Sequence, residues 1–289
     1  MDASKPQLSA RQLREIEYHR RHAQRHKGRY ERVSYDILRA EARPWWNAYW
    51  AMYTILLKHP LRGSRALVAG CGFGDDAFRV SKLGAHVSAF DLSPDQLEIA
   101  RDVARRERLT IDFREMPAEN LAYDDEVFDY VIANDILHHV DLPAAIKEIR
   151  RVSKGGALVV GNEMYSHSCT ERLRRSRIVE DYIYPRMRNF VYGDEEPYIT
   201  RDERKLTEKD VKILGGHLSD LTCDYFNIIS TRLLPERFTL TCKADRVLLK
   251  VLAPIAHLLG ARVVFTGKVT KSEKRGHSTF PAFRPDPRR

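Results

Sequence analysis

Glycines occupy positions 70, 72 and 74 directly behind an apolar run over 66–69, and an acid, Asp91, closes the next apolar run. Three alternate residues without Cβ atoms let backbone approach a ligand closely, and a helix starting just after them offers it free N–H groups. An acid at the tip of the second run is placed to accept hydrogen bonds from a ribose diol. These residue types at this spacing point to the binding of a nucleoside-bearing cofactor. Two registers are open. The dinucleotide fingerprint G-x-G-x-x-G/A falls on Gly72, Gly74 and Ala77, with Asp91 lying 19 residues beyond Gly72. A G-x-G-x-G on Gly70, Gly72 and Gly74 follows the apolar strand directly and is the better register.

The turn needs elements to hold it. The stretch 66–91 reads as strand, glycine turn, a helix over 76–83 closed by Gly84, and a strand over 86–90. Ser93 caps and Pro94 opens a helix reaching 106, followed by strands over 111–114 and 127–133, a helix over 142–152 and a strand over 157–161 behind Gly155-Gly156. Strands alternating with helices of this length imply a parallel sheet with right-handed crossovers. Ahead of this core lie a polar helix over 8–26, with Ser9 as cap, and two helices over 35–39 and 45–57 divided by Pro44. Trp45, Trp46, Tyr49, Trp50 and Tyr53 crowd the last of these, either packing on the sheet or walling a pocket.

Beyond the core, 166–205 is charge-dense with interspersed Tyr182, Tyr184, Phe190, Tyr192 and Tyr198, too long for an ordinary connection, and reads as a helical insertion or lid. A helix over 206–214 capped by Thr207, a strand over 223–233, a helix over 244–259 and a strand over 262–269 suit an antiparallel edge on the sheet. The expected organisation is a helical cap (1–60), a cofactor-binding core (61–165), the insertion (166–205), the remainder of the fold (206–269) and a disordered basic tail (270–289).

An apolar fraction of 43% is ample for a core. The net charge of +9 resides at the ends: 1–30 and 268–289 each carry a surplus of five positive charges, which leaves the body close to neutral. Solvated tails explain this better than a nucleic-acid groove. Cys71, Cys169, Cys223 and Cys242 form no CxxC pair, which gives no zinc site and fits a cytoplasmic protein with reduced thiols. No signal peptide is visible, and 247–265 is too interrupted to span a membrane.

Four blocks in order carry a resemblance: LVAGCGFG, VSAFDLSPDQLEIAR, MPAENLAYDDEVFDYVIANDILHHV and LPAAIKEIRRVSKGGALVV. Through them the stretch 66–156 resembles the class I S-adenosylmethionine-dependent methyltransferases, above all the small-molecule group that includes the ubiquinone- and menaquinone-pathway enzymes. The resemblance implies an α/β, Rossmann-like, seven-stranded and mostly parallel sheet with helices on both faces and an antiparallel C-terminal edge strand. It implies S-adenosyl-L-methionine as cofactor. Gly70, Gly72 and Gly74 would pass beneath its methionine and ribose, Asp91 would take both ribose hydroxyls, and Leu92 would pack on the adenine. Met116, Pro117 and Ala118 would edge the adenine, and Asn134 would offer its carbonyl to the cofactor's amino group. The chain departs from the group's pattern at three places. Val68 stands where an acid is usual, Pro117 replaces an aspartate beside the adenine, and a Lys-Pro-Gly-Gly turn is shortened to Lys154-Gly155-Gly156.

Methyl transfer from a sulfonium is an in-line displacement, helped by alignment and, for a hydroxyl acceptor, by a base. Candidates for proton handling are His138, His139, Glu163 and His167. The His138-His139 pair resembles the paired histidines of sugar and phenol O-methyltransferases, in which one is the base and a carboxylate at the position of Glu163 supports it. The expected function is methylation of a small molecule, most simply on a hydroxyl, with no metal, no transmembrane segment and no nucleic-acid partner. The alternatives are an RNA or protein methyltransferase using the basic ends, and a non-catalytic cofactor-binding module.

Overall fold

The computed structural model describes residues 8–26, 33–39, 44–174, 176–183, 185, 204–230, 234–235 and 238–271. Half of the insertion expected over 166–205, with Tyr184, Phe190, Tyr192 and Tyr198, lies outside the described residues, as does the tail from 272 onward; the described part of the insertion includes the helix α6 (Ser168–Arg174).

Seven strands form one sheet: β1 (Arg65–Ala69), β2 (His86–Asp91), β3 (Ile111–Glu115), β4 (Phe128–Asn134), β5 (Ser153–Met164), β6 (Leu218–Phe226) and β7 (Arg262–Val269), in the order β3-β2-β1-β4-β5-β7-β6. The first five are parallel. The C-terminal strand β7 is antiparallel to both its neighbours, β5 and β6, and stands one place in from the edge, with β6 outside it. Alternation along β1 shows why the sheet is covered on both sides: Leu67 and Ala69 enter one buried cluster, Ala66 and Val68 the other. The first cluster holds α5 (Leu142–Val152) and α7 (Glu208–His217) through Ile146, Ile149, Val211 and Leu214. The second holds α2 (Ala48–Leu56), α3 (Asp75–Lys82) and α4 (Pro94–Arg106) through Met52, Leu56, Phe78, Leu97 and Val103.

Local chemistry sets the helix ends. The Ser93 hydroxyl accepts from the Gln96 N–H at 3.3 Å, with Pro94 in the first turn. Asp141 caps α5 by accepting from the Ala144 N–H at 3.0 Å. Asp210 accepts from both the N–H and the hydroxyl of Thr207 at the head of α7. Helix α2 starts later than its aromatic run because Asn47 caps it, accepting from the Trp50 N–H at 3.2 Å, so Trp45 and Trp46 precede it. Strand β5 runs through Gly155-Gly156, which the sequence reading gave to a turn. The strand expected over 223–233 is instead β6, which follows α7 without a break and stops before Asn227, whose φ is +62°. The helix expected over 244–259 divides into α8 (Thr239–Val251) and α9 (Ala256–Leu259), with a 3-10 turn (Ala253–Ile255) between them at Pro254, which lacks an N–H to donate.

One charged fastening holds the segment after β3. Arg151 donates to the carbonyls of Leu121 and Tyr123 at 2.7 and 2.9 Å and to Glu148, which in turn accepts from the Leu121 N–H at 2.9 Å. Hydrogen bonds from Arg151 are the main reason the Glu148 carboxyl lies below its ordinary value. That stabilisation is complete above the unfolded-state pKa near 4.5 and is lost as pH falls through the lower folded-state value. Arg151→Ala is therefore expected to cost about 2 kcal/mol and to lower Tm by several degrees at pH 7. The gap from wild type should narrow between pH 5 and pH 3, as thermal melts across that range would read. A gap independent of pH would assign the loss to the carbonyls alone.

Candidate active site

The glycine turn sits at the carboxyl end of β1, with Gly70, Gly72 and Gly74 at φ +59°, +52° and +95°, a region side chains rarely adopt. A Cβ on Gly74 would come within 2.6 Å of the Phe78 ring, whereas one on Gly72 would meet nothing closer than Gln96 Oε1 at 4.0 Å. Space therefore stands open above Gly72. Asp91, nine-tenths buried at the end of β2, accepts the Gly72 N–H at 2.8 Å on one oxygen and the Ser93 N–H at 2.9 Å on the other. Each oxygen keeps a lone pair for a further donor. The Met116 N–H reaches the Asp91 carbonyl at 3.2 Å, bringing buried Met116, Pro117 and Ala118 alongside, and half-buried Leu92 follows the acid. Cys71, within the turn, is buried, and that burial first, then the nearby Asp91 charge, raises its thiol well above the ordinary value.

Across the turn, Asn134 ends β4. Its amide donates to Asp76 at 3.2 Å and its oxygen accepts from Asn162 at 2.9 Å. Asp76 also accepts from the hydroxyls of Tyr49 and Tyr53 at 2.6 and 2.5 Å. Burial first, and the Asp76 charge next, push both phenols well above their ordinary value, so they stay protonated donors. The aromatic helix α2 thus packs on the sheet and also aims two hydroxyls at one acid.

The second constellation follows β4 in a 3-10 turn (Leu137–His139). Glu163, fully buried near the end of β5, accepts the N–H groups of Ile136 and Leu137 at 2.9 and 2.8 Å, and its other oxygen lies 2.7 Å from His138 Nδ1. His138 is 2% exposed. His139 takes a different carboxylate: its Nδ1 lies 3.5 Å from Oε2 of Glu15, which stands equally close to His19. Glu15 and His19 belong to α1 (Ala10–His26), whose polar face lies over these loops. Arg11 donates to the His138 carbonyl at 3.2 Å, Gln12 donates to Glu119 at 3.2 Å, and the His22 ring lies 5.4 Å from Phe73 of the glycine turn. His167 is engaged elsewhere, at 3.9 Å from Glu208 and beside His257. Asp135, His138 and Glu163 each bring one potential ligand atom within 4.8 Å of the others, with Asp135 already ion-paired to Arg262.

Sequence reasoning found the turn, Asp91 and the His138–Glu163 pair but missed Glu15 and Asp76. The spacing of Tyr49 and Tyr53, one helical turn apart, was the available signal for Asp76. For Glu15 there was none, because the polar pattern of α1 does not say where the helix docks.

Residues 67–160 match the family model described as a methyltransferase domain. The chain is 43% identical over 81 residues to the ubiquinone biosynthesis O-methyltransferase of Methylocella silvestris, covering 28% of this chain and 32% of that protein. It is 30% identical over 145 residues to the protein of the same name from Xanthomonas oryzae pv. oryzae, covering 45% and 61%. The chain therefore spans between about a third and three-fifths of the length of these curated relatives. In fold it is similar to the geranyl diphosphate C-methyltransferase of Streptomyces coelicolor A3(2), with a TM-score of 0.53 and 14% identity over 91% of this chain and 99% of that one.

Residues 67–160 thus match a methyltransferase domain within a Rossmann-like sheet that carries a glycine turn, the arrangement implied by the resemblance to the class I S-adenosylmethionine-dependent methyltransferases. Within that class the chain resembles the ubiquinone-pathway O-methyltransferases. The open space over Gly72 and the two spare lone pairs of Asp91 fit the ribose of that cofactor. Among the described residues, no helix is long and apolar enough to cross a membrane.

Proposed function

We propose that this chain transfers the methyl group of S-adenosylmethionine to a hydroxyl of a small phenolic acceptor. The observation that carries the reading is the His138–Glu163 pair. A carboxylate anchored by two backbone N–H groups takes the Nδ1 proton of His138, which fixes the tautomer and leaves Nε2 as the acceptor of a proton. The bound cofactor supplies an electrophilic methyl on a sulfonium. His138 removes the acceptor's proton as the oxygen attacks, and the imidazolium is held by Glu163. His139, steadied by Glu15, would flank the acceptor, and α1 would keep water from the reacting groups. Asp91 would hold the ribose, Met116, Pro117 and Ala118 the adenine, and Asn134 the amino group. The relatives' printed names, ubiquinone biosynthesis O-methyltransferase, favour a hydroxylated ring as acceptor.

A second reading rests on the trio of Asp135, His138 and Glu163, which offers three ligand atoms to a divalent cation. Beside such a charge an acceptor hydroxyl would lose its proton more readily. One assay separates the two readings: release of S-adenosylhomocysteine over catechols, phenols, sugar hydroxyls, amines and carboxylates, with and without a chelator. We expect turnover with ring hydroxyls that survives chelation. Activity abolished by the chelator and restored by magnesium would favour the cation, and turnover confined to amines or carbon acceptors would overturn hydroxyl methylation.

A further inference from the structure

The methionine end of the cofactor carries an ammonium group as well as a carboxylate, and an ammonium leaving water needs an acceptor, ideally a charged one. In the glycine turn the N–H groups of Cys71, Gly72 and Gly74 are taken by Phe90, Asp91 and Cys71, and its carbonyls are acceptors without charge. Val68 on β1 is 2% exposed and packs among Ala66, Ile132 and Val160, so that strand offers no acid. The other carboxylates around the turn have partners: Asp75, half-exposed, pairs with Arg79 at 3.4 Å, Asp91 holds Gly72 and Ser93 on the ribose side, Glu163 takes three donors, and Asp135 pairs with Arg262.

Asp76 differs from these. It lies in the first turn of α3, directly after the glycines, where a helix N-terminus favours negative charge, and is 8% exposed. Its donors are unevenly shared. Oδ1 takes both tyrosine hydroxyls, at 2.6 and 2.5 Å, and lies 3.8 Å from the Arg79 guanidinium, whereas Oδ2 has the Asn134 amide, at a long 3.2 Å. A carboxylate oxygen has room for a second donor. Oδ2 therefore faces the end of β4 with capacity to spare, next to Asn134, to which the proposed function assigns the same amino group.

We propose that Asp76 Oδ2 receives the α-ammonium group of the cofactor's methionine end, in place of an acid on β1, with Tyr49 and Tyr53 positioning the carboxylate. This rests on the S-adenosylmethionine reading above and adds to it the group that recognises the amino acid. It predicts selectivity between nucleosides that carry the ammonium and those that lack it.

The test is calorimetry on the full chain with three ligands: S-adenosylhomocysteine, its desamino analogue, which keeps the carboxylate, and 5′-methylthioadenosine, which lacks the whole amino-acid end. Wild type should bind S-adenosylhomocysteine about 10- to 100-fold more tightly than the desamino analogue. Asp76→Asn should erase that difference while changing the Kd for methylthioadenosine by less than about threefold. The ratio of affinities is insensitive to a general loss of stability, and Tyr49→Phe, which keeps the acid but removes one of the two hydroxyls positioning it, should narrow the discrimination without erasing it. An Asp76→Asn protein that retains the wild-type preference, or loses affinity for all three ligands equally, would overturn the proposal. Failure of the wild type to bind S-adenosylhomocysteine at all would overturn the cofactor reading with it.

Discussion

Replacing His138 with alanine is expected to lower kcat by about 10²- to 10⁴-fold with a hydroxyl acceptor, while the Kd for S-adenosylhomocysteine moves less than about threefold. The imidazole is paired with Glu163 on β5, whereas the ribose reading rests on Asp91 at the end of β2, so the loss should fall on the chemical step. His138→Asn is the companion variant, because an amide can still donate to the buried Glu163 oxygen but cannot take up a proton at pH 7. Without it, a deficit in the alanine protein could reflect the cost of leaving that oxygen without its present partner. Glu163→Gln should show a similar deficit, and adding it to His138→Ala should cost little more, since the two act as one unit. The diagnostic readout is the acceptor's own acidity. A base matters less when the acceptor is already ionised, so the deficit should shrink steadily across ring-substituted phenols of falling pKa. A deficit constant across that series would mean His138 is structural. Near-normal turnover in both His138→Ala and His139→Ala would remove base catalysis by the pair.

What could be read from the sequence was whatever lies close together along it. Strand, glycine turn, helix and acid fit within 66–91, and their spacing follows from local geometry, as does the capping of α4 by Ser93. His138 lies in the turn just past β4 and Glu163 near the end of β5, and β4 and β5 pair in register through Asn134 and Asn162, so their meeting follows from parallel topology. Glu15 and His139 meet only because α1 docks over the loops, through contacts such as Arg11 to the His138 carbonyl and Arg20 to Asp95. No periodicity encodes that docking. Tyr53 shows a subtler limit: its burial was legible as a helix face, but not that its hydroxyl would spend that burial on Asp76. The place of β7 inside β6 is of the same kind, since two late strands can be added to a sheet in either order.

Asp91→Ala is the other substitution expected to have a large effect, weakening S-adenosylhomocysteine binding by about 10²-fold or more. Two hydrogen bonds from the ribose diol to a carboxylate contribute roughly 1.5–3 kcal/mol each, and about 1.4 kcal/mol is a factor of ten in Kd. A second consequence follows from the partners the carboxylate already has. Removing it leaves the Gly72 and Ser93 N–H groups without their acceptor, so the turn itself loosens, and the melting temperature without ligand should fall by a few degrees. Asp91→Asn separates the two effects, because an amide oxygen can replace only one of the two backbone acceptors and carries no charge. We expect it to weaken binding about tenfold. The pattern across ligands distinguishes this acid from the one on α3. The ribose is common to S-adenosylhomocysteine and 5′-methylthioadenosine, so Asp91→Ala should weaken both to the same degree, whereas Asp76→Asn should spare the second. If Asp91→Ala bound methylthioadenosine as wild type does, the acid at the end of β2 would be a brace for the glycine turn rather than the ribose acceptor, and the register of the cofactor along the sheet would have to be drawn again.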